Sequence, residues 1–293
     1  MATSFKQKIA AAFAEPDSLL CVGLDPELSR LPHAIASGRD PFYAFGREII
    51  DATADLACCF KFQIAHYAAE GREHELERSI EYLRQTHPNI PVLLDAKRGD
   101  IGSTAERYAL ECFERFGADA VTVNPYFGSD SVRPFAAWAD RGVFVVCRTS
   151  NPSAREIQDL RVGNRAVFEI VAGLATTVWN PHKNISLVVG GTYPEDLRSL
   201  RAECGDDILF LVLGVGAQGA NVRDVVTSGQ SSDGCGLLVS SSRAIIYASS
   251  GPDFASAARA AAESMRLEIN KARFRNPSSP EMLASHGPRA QGA

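Results

Sequence analysis

Apolar residues gather along this chain in short, nearly continuous runs rather than in strict alternation with polar ones. The runs Leu19 to Leu24, Cys58 to Gln63, Pro91 to Leu94, Ala120 to Val123, Val143 to Cys147, Ser186 to Val189, Leu209 to Leu213 and Leu237 to Val239 are bounded by turn-forming residues. Such runs predict eight strands, and their unbroken apolarity is the pattern of parallel strands buried on both faces. The intervals between them carry apolar residues near i, i+3 and i+4, most legibly Pro41 to Ala54, Glu73 to Gln85 and Ser103 to Phe116, which predicts amphipathic helices. Eight β-α units imply an α/β fold, a closed (β/α)8 TIM barrel in a single domain.

Length alone also permits two domains, since the chain has 293 residues. No internal repeat and no Gly/Ser-rich or Pro-rich linker divides it, so the expected organisation is an N-terminal helical extension over 1–18 and a catalytic barrel over 19–275. From Asn276 onward three prolines fall in eighteen residues with almost no large apolar side chain, and 276–293 is expected to be a disordered tail. The segment from Arg161 to Arg165, two arginines around Gly163-Asn164, reads as a solvated loop.

Charge narrows the function more than composition does. Thirty Lys and Arg against 35 Asp and Glu leave a formal charge of −5 with no basic patch, which disfavours nucleic acid and anionic membranes as partners. No apolar run approaches the ~18 residues of a membrane helix. Lys6 and Lys8 ahead of Ile9 to Ala14 imitate a signal peptide only until Glu15 and Pro16 end the run. Seven cysteines without any C-x-x-C pair sit mostly inside apolar runs, as expected of a cytoplasmic protein without structural zinc. The six histidines show no metal-ligand spacing.

In (β/α)8 barrels the chemistry gathers where strands end and βα loops begin. Strand one ends at Asp25, strand two carries Lys61, and strand three runs into Asp95-Ala96-Lys97-Arg98-Gly99-Asp100. Strand five leads to Arg148-Thr149-Ser150-Asn151, strand seven to the glycine-rich loop from Gly214 to Gly219, and strand eight to Ser240-Ser241-Ser242-Arg243. Asp95 and Lys97, two residues apart, are expected to point to one side of the sheet. With Lys61 and Asp100 they make a plausible array of alternating charge, which could equally be an ion-pair network closing the barrel mouth. A lysine between carboxylates stays an ammonium, because opposite charge favours the charged form. Lys97 therefore suits a general acid better than a Schiff-base nucleophile, which must lose its proton.

The run from Leu94 to Thr104, together with Phe60-Lys61-Phe62-Gln63, Thr149-Ser150-Asn151-Pro152 and Gly214-Val215-Gly216-Ala217-Gln218-Gly219, resembles the orotidine 5′-phosphate decarboxylase family, most closely its longer bacterial branch. The resemblance spans about residues 19 to 250 with the motifs in order. It implies release of CO2 from orotidine 5′-monophosphate to give UMP in de novo pyrimidine biosynthesis, without cofactor or metal. It further implies that Lys97 protonates C6 of the pyrimidine, that Asp95 faces the departing carboxylate, and that Lys61 and Asp25 hold the array and the ribose 3′-hydroxyl. Asp100 and Thr104 would reach the ribose 2′-hydroxyl region of the other subunit's site in a homodimer with shared active sites. Ser150 would bond the pyrimidine amide edge, and Gln218 with Arg243 would grip the phosphate. The phosphate loop departs from the pattern P-G-Y-G-A-Q-G-G at Leu213, Val215 and Ala220.

Three competing readings carry their own signals. The spacing Gly214-x-Gly216-x-x-Gly219 also fits a dinucleotide fingerprint, but that turn belongs after the first strand of a βαβ half, not the seventh of eight. A related branch of phosphate-binding barrels shares D-x-K-x-x-D and binds Mg²⁺ through an acid near the end of strand two, where this chain has Lys61. A non-catalytic barrel that senses a sugar phosphate would use the same phosphate grip.

Overall fold

The computed structural model describes residues 4–215 and 219–273. The eight expected strands form one closed parallel barrel. They are β1 (Leu20–Leu24), β2 (Cys59–Gln63), β3 (Val92–Arg98), β4 (Ala120–Val123), β5 (Gly142–Arg148), β8 (Ile185–Gly190), β9 (Phe210–Leu213) and β10 (Leu237–Ser241). Two short strands intervene, β6 (Arg161–Val162) and β7 (Arg165–Ala166). Spatial order follows chain order, and β1 closes the circle by pairing with both β2 and β10, Cys21 lying opposite Cys59 on one side and Ser240 on the other. Nearly every strand residue is buried, which explains why the runs are continuous: one face fills the barrel and the other packs under helices.

The helices follow from their apolar stripes. Phe42, Phe45, Ile49 and Ile50 of the helix Pro41–Thr53 are buried, as are Leu76, Ile80 and Leu83 of its neighbour Glu73–Thr86. Each such side chain contributes about 1.5–3 kcal/mol relative to exposure. Glu75, fully buried, accepts the Phe42 and Tyr43 N–H groups at 2.7 and 2.9 Å, so a carboxylate from the second helix satisfies orphan donors at the start of the first. Arg72 balances that charge at 2.5 Å.

At the N-terminal end of the barrel the helix Phe5–Ala14 begins with a capping box between Ser4 and Gln7. Its Phe5 meets Phe144 edge to face at 5.8 Å, and Lys8 pairs with Asp119 at 2.9 Å. Gly142 allows this approach, since a Cβ there would fall 2.4 Å from the Phe5 ring. Residues 276–293 lie outside the described residues.

Three local expectations differ from the structure. Strand three continues past Leu94 to Arg98. The third helix is α-helical only over Gly102–Leu110 and continues as a π-turn over Glu111–Arg115. The segment from Arg161 to Arg165 is not an irregular loop but part of the β6–β7 antiparallel hairpin, turning through Gly163 at φ +61°. Gly-Asn between two short extended pairs is a hairpin signal.

Candidate active site

A cavity of about 310 Å³ opens at the C-terminal ends of the strands. Asp25, Glu27, Lys61, Gln63, Asp95 and Lys97 line one side, and Leu213 to Val215, Ser240, Ser242 and Arg243 the other, with His66 at the rim. Within β3 the side chains of Val92, Leu93 and Leu94 are fully buried before Asp95 introduces charge. The barrel is thus packed below and polar only at its mouth.

Asp95 is the hub. Its Oδ1 accepts from Lys97 Nζ at 2.6 Å and from the Thr122 hydroxyl at 2.7 Å. Its Oδ2 accepts from Gln63 Nε2 at 3.0 Å and faces Lys61 Nζ at 3.5 Å. Lys61 also donates to Asp25 Oδ1 at 3.1 Å. Burial opposes ionisation of Asp95, yet the charges of Lys61 and Lys97, with the hydrogen bonds from Lys97 and Thr122, hold its pKa below the usual carboxylate value. Burial likewise opposes the charge on Lys61, but the carboxylates of Asp25 and Asp95 outweigh it and raise the ammonium's pKa. The buried pair Lys61 and Asp95 is therefore ionised on both sides at neutral pH.

Within one chain the charge ladder is Asp25, Lys61, Asp95, Lys97. Asp100 does not join it. Its carboxylate instead accepts the Ile101 N–H at 2.8 Å, and among the described residues it makes no ion pair. Thr104 is exposed on the helix Gly102–Leu110 and is likewise not part of the cavity wall. Asp95 and Lys97 do meet, but not through simple strand alternation. The pairing of β3 with β4 shifts register between Leu94 and Arg98, and Lys97 adopts φ +45°. A bulge, rather than period two, brings the ammonium back over the carboxylate.

The remaining predicted residues divide in the same way. Arg243 begins a short helix after β10, lines the cavity, and has no carboxylate partner among the described residues. Ser150 follows β5 at the same end of the barrel but outside the cavity lining. Its loop lies close over β8, where a Cβ at Gly190 would come within 2.8 Å of the Ser150 nitrogen. Beneath it Arg148, buried, bonds Asp159 at 2.5 Å and Asp196 at 2.9 Å. Gln218 falls outside the described residues. The loop's departures are in part visible, since Val215 is buried and bridges to Ala220.

Several cavity residues carry no assigned role in the sequence reading. Gln63 was legible in principle, since it lies two residues beyond Lys61 on the same strand and so on the same face. Ser240 and Ser242 follow from strand eight, with Gly23 leaving room for Ser242. Glu27 and His66 are placed by a loop contact: the Tyr247 hydroxyl accepts the Glu27 N–H at 2.6 Å and His66 Nδ1 lies 3.1 Å from the Pro26 carbonyl. No local pattern announces these.

Comparison with known proteins points one way. Residues 18–261 match the family described as orotidine 5′-phosphate decarboxylase / HUMPS. The chain is 52% identical over 272 residues to orotidine 5′-phosphate decarboxylase of Cellvibrio japonicus, covering 92% of this chain and 99% of that protein. It is 50% identical to the Ralstonia pickettii protein of the same name, with 93% and 99% covered. Among solved structures, that of Leishmania donovani OMP decarboxylase superposes with a TM-score of 0.79 at 36% identity, covering 92% of this chain and 99% of that one.

Proposed function

The chain belongs to the orotidine 5′-phosphate decarboxylase / HUMPS family, and from this we propose how its cavity turns orotidine 5′-monophosphate into UMP. The reaction is that of a carboxy-lyase in pyrimidine biosynthesis. The observation that carries the assignment of roles is the ladder Asp25, Lys61, Asp95, Lys97, which ends in an ammonium facing the cavity.

The substrate's carboxylate lies against Asp95 with C6 of the pyrimidine beside Lys97 Nζ. Breaking the C6–carboxylate bond releases CO2 and leaves the electron pair on C6. A proton from the Lys97 ammonium then forms the C6–H bond of UMP, and the neutral amine regains a proton from solvent. The fixed charges of Lys61 and Lys97 stabilise the carbanion as it develops, with no reorganisation required at that moment. Asp25 and Lys61 bind the ribose 3′-hydroxyl, Ser150 the pyrimidine amide edge, and Gln218 with Arg243 the phosphate. An arginine that has no carboxylate partner among the described residues and lines a cavity supports the last role.

The catalytic unit in this reading is a homodimer. Ile101, Tyr126, Phe127, Ile157, Leu160 and Val162 are exposed, and they follow the neighbouring strands β3, β4 and β5. Apolar side chains concentrated in one sector suit burial against a second copy. Asp100 and Thr104 stand beside Ile101 and outside their own cavity, placed to serve the partner's. The barrel over 19–275 works as one domain with its N-terminal helix. The cytoplasm is its compartment in this reading, supported by seven free cysteines and by the absence, among the described residues, of any helix long and apolar enough to cross a membrane.

The test is the loss of orotidylate absorbance with purified protein in the presence of EDTA. Lys61 occupies the centre of the carboxylate cluster and repels a divalent cation, so the rate is expected to be unchanged by the chelator. Strict dependence on added Mg²⁺ would favour a metal-dependent lyase, and binding without turnover a sugar-phosphate sensor.

A further inference from the structure

The bulge that presents Lys97 has a specific partner. Leu93 and Leu94 of β3 pair with Ala120 and Val121 of β4, and pairing resumes only at Arg98 opposite Val123. Three residues, Asp95, Ala96 and Lys97, are thereby set against Thr122 alone. Lys97 sits at φ +45°, a left-handed conformation that a side chain with a Cβ disfavours. Something must hold it there.

Thr122 is fully buried and does not line the cavity. Its hydroxyl accepts the Lys97 backbone N–H at 2.9 Å and donates to Asp95 Oδ1 at 2.7 Å. A hydroxyl has one proton to give and lone pairs to receive. Because an ionised carboxylate only accepts, the proton goes to Asp95 and a lone pair takes the Lys97 amide. The β-branched side chain in a strand has a restricted χ1, so the oxygen is held in place. On the far side of the bulge Arg98 is anchored by Glu111 through bonds of 3.0 and 3.2 Å. The Lys97 amide itself is held by Thr122.

We propose that Thr122 is a positioning residue for the decarboxylation: its single hydroxyl locks the left-handed bulge that aims Lys97 and fixes the Asp95 oxygen beneath the Lys97 ammonium. The proposal rests on the reading of Lys97 as proton donor. It makes no contact with substrate necessary, since Thr122 acts through two residues that do touch it.

The experiment compares Thr122→Val, Thr122→Ser and Lys97→Ala in the full chain, with kcat, KM and thermal melting measured on each. Valine keeps the shape and removes both hydrogen bonds. Its kcat is expected to fall about 10- to 100-fold, the scale of a small misplacement of a reacting group, while KM changes less than about threefold because substrate contacts are retained. Serine restores the hydroxyl and is expected to recover kcat to within about threefold of wild type. Should the valine chain lack a cooperative melt, Thr122→Ala replaces it in the same comparison with serine. Wild-type kcat in the valine chain, or serine as slow as valine, overturns the positioning role while leaving Lys97 as donor. A Lys97→Ala chain that turns over normally overturns both.

Discussion

Lys97 and Asp95 form a pair of unequal exposure: the ammonium lies 2.6 Å from Oδ1 of a carboxylate that is 3% exposed, while the lysine side chain is 39% exposed. The buried partner fixes the geometry, and the open one can exchange its proton with solvent between turnovers. An acid that protonates a developing carbanion acts mainly in the transition state. If Lys97 is that acid, as proposed, Lys97→Ala should lower kcat by at least about 10²- to 10⁴-fold, with a much smaller effect on the dissociation constant of UMP measured by calorimetry. Equal losses in both would assign Lys97 to binding instead.

The same pair marks the limit of what the sequence could reveal. The eight strands and the charged residues at their ends were legible because continuous apolar runs, and charges just beyond them, are local features. Lys61 and Asp95 follow directly from such placement. The contact between Asp95 and Lys97 was anticipated for the wrong reason, since strand alternation does not survive the bulge at Lys97. Thr122 was invisible, because its place opposite Lys97 depends on that irregular register, which is a property of two strands rather than one. Asp100 was grouped with the array by nearness in sequence, and the structure turns its carboxylate to the Ile101 amide instead. Asp25, separated by a whole β-α unit from Lys61, takes the fourth place.

The ladder also sets a pH window for stability. Asp95 has a native pKa below its ordinary 3.8, so its contribution is present above that value and is lost as pH falls through the lowered native one. Lys61 has a native pKa above its ordinary 10.5, so its contribution is complete below 10.5 and is lost as pH rises through the raised one. Asp95→Asn should melt at lower temperature than wild type at neutral pH, since removing one member of a buried ionic cluster costs about 3–5 kcal/mol. The gap should narrow as pH falls from 3.8 through the lowered native pKa at which wild-type Asp95 takes up its proton. A gap unchanged across that range would mean that Asp95 is not the titrating group.

Shared sites make a countable prediction. If Asp100 serves the neighbouring cavity, mixing inactive Lys97→Ala and Asp100→Ala subunits gives heterodimers with one doubly defective site and one intact site. Random pairing should restore roughly a quarter of wild-type sites, the count for a two-fold symmetric dimer. The readout is activity after subunit exchange, with exchange itself verified by mass. No recovery would place the complete site within one chain.

Arg243 tests how binding energy reaches the chemistry. It stands across the cavity from Lys97, after the last barrel strand, and has no carboxylate partner among the described residues. In the proposed role it holds the substrate dianion without touching the reacting carbon. If gripping the phosphate assembles the charged array around the pyrimidine, that energy is expressed in the chemical step as well as in KM. Arg243→Ala should lower kcat/KM for orotidine 5′-monophosphate by about 2–5 kcal/mol, the scale for losing a charge-assisted, desolvated contact. The control is orotidine, which has no phosphate. Toward this nucleoside wild type and Arg243→Ala should perform almost equally, because there is no dianion for the guanidinium to hold. Equal damage toward both substrates would mean that Arg243 supports the fold or the pyrimidine end of the cavity, and the phosphate would then have to be held by other lining residues such as Ser240, within β10, and Ser242, just after it.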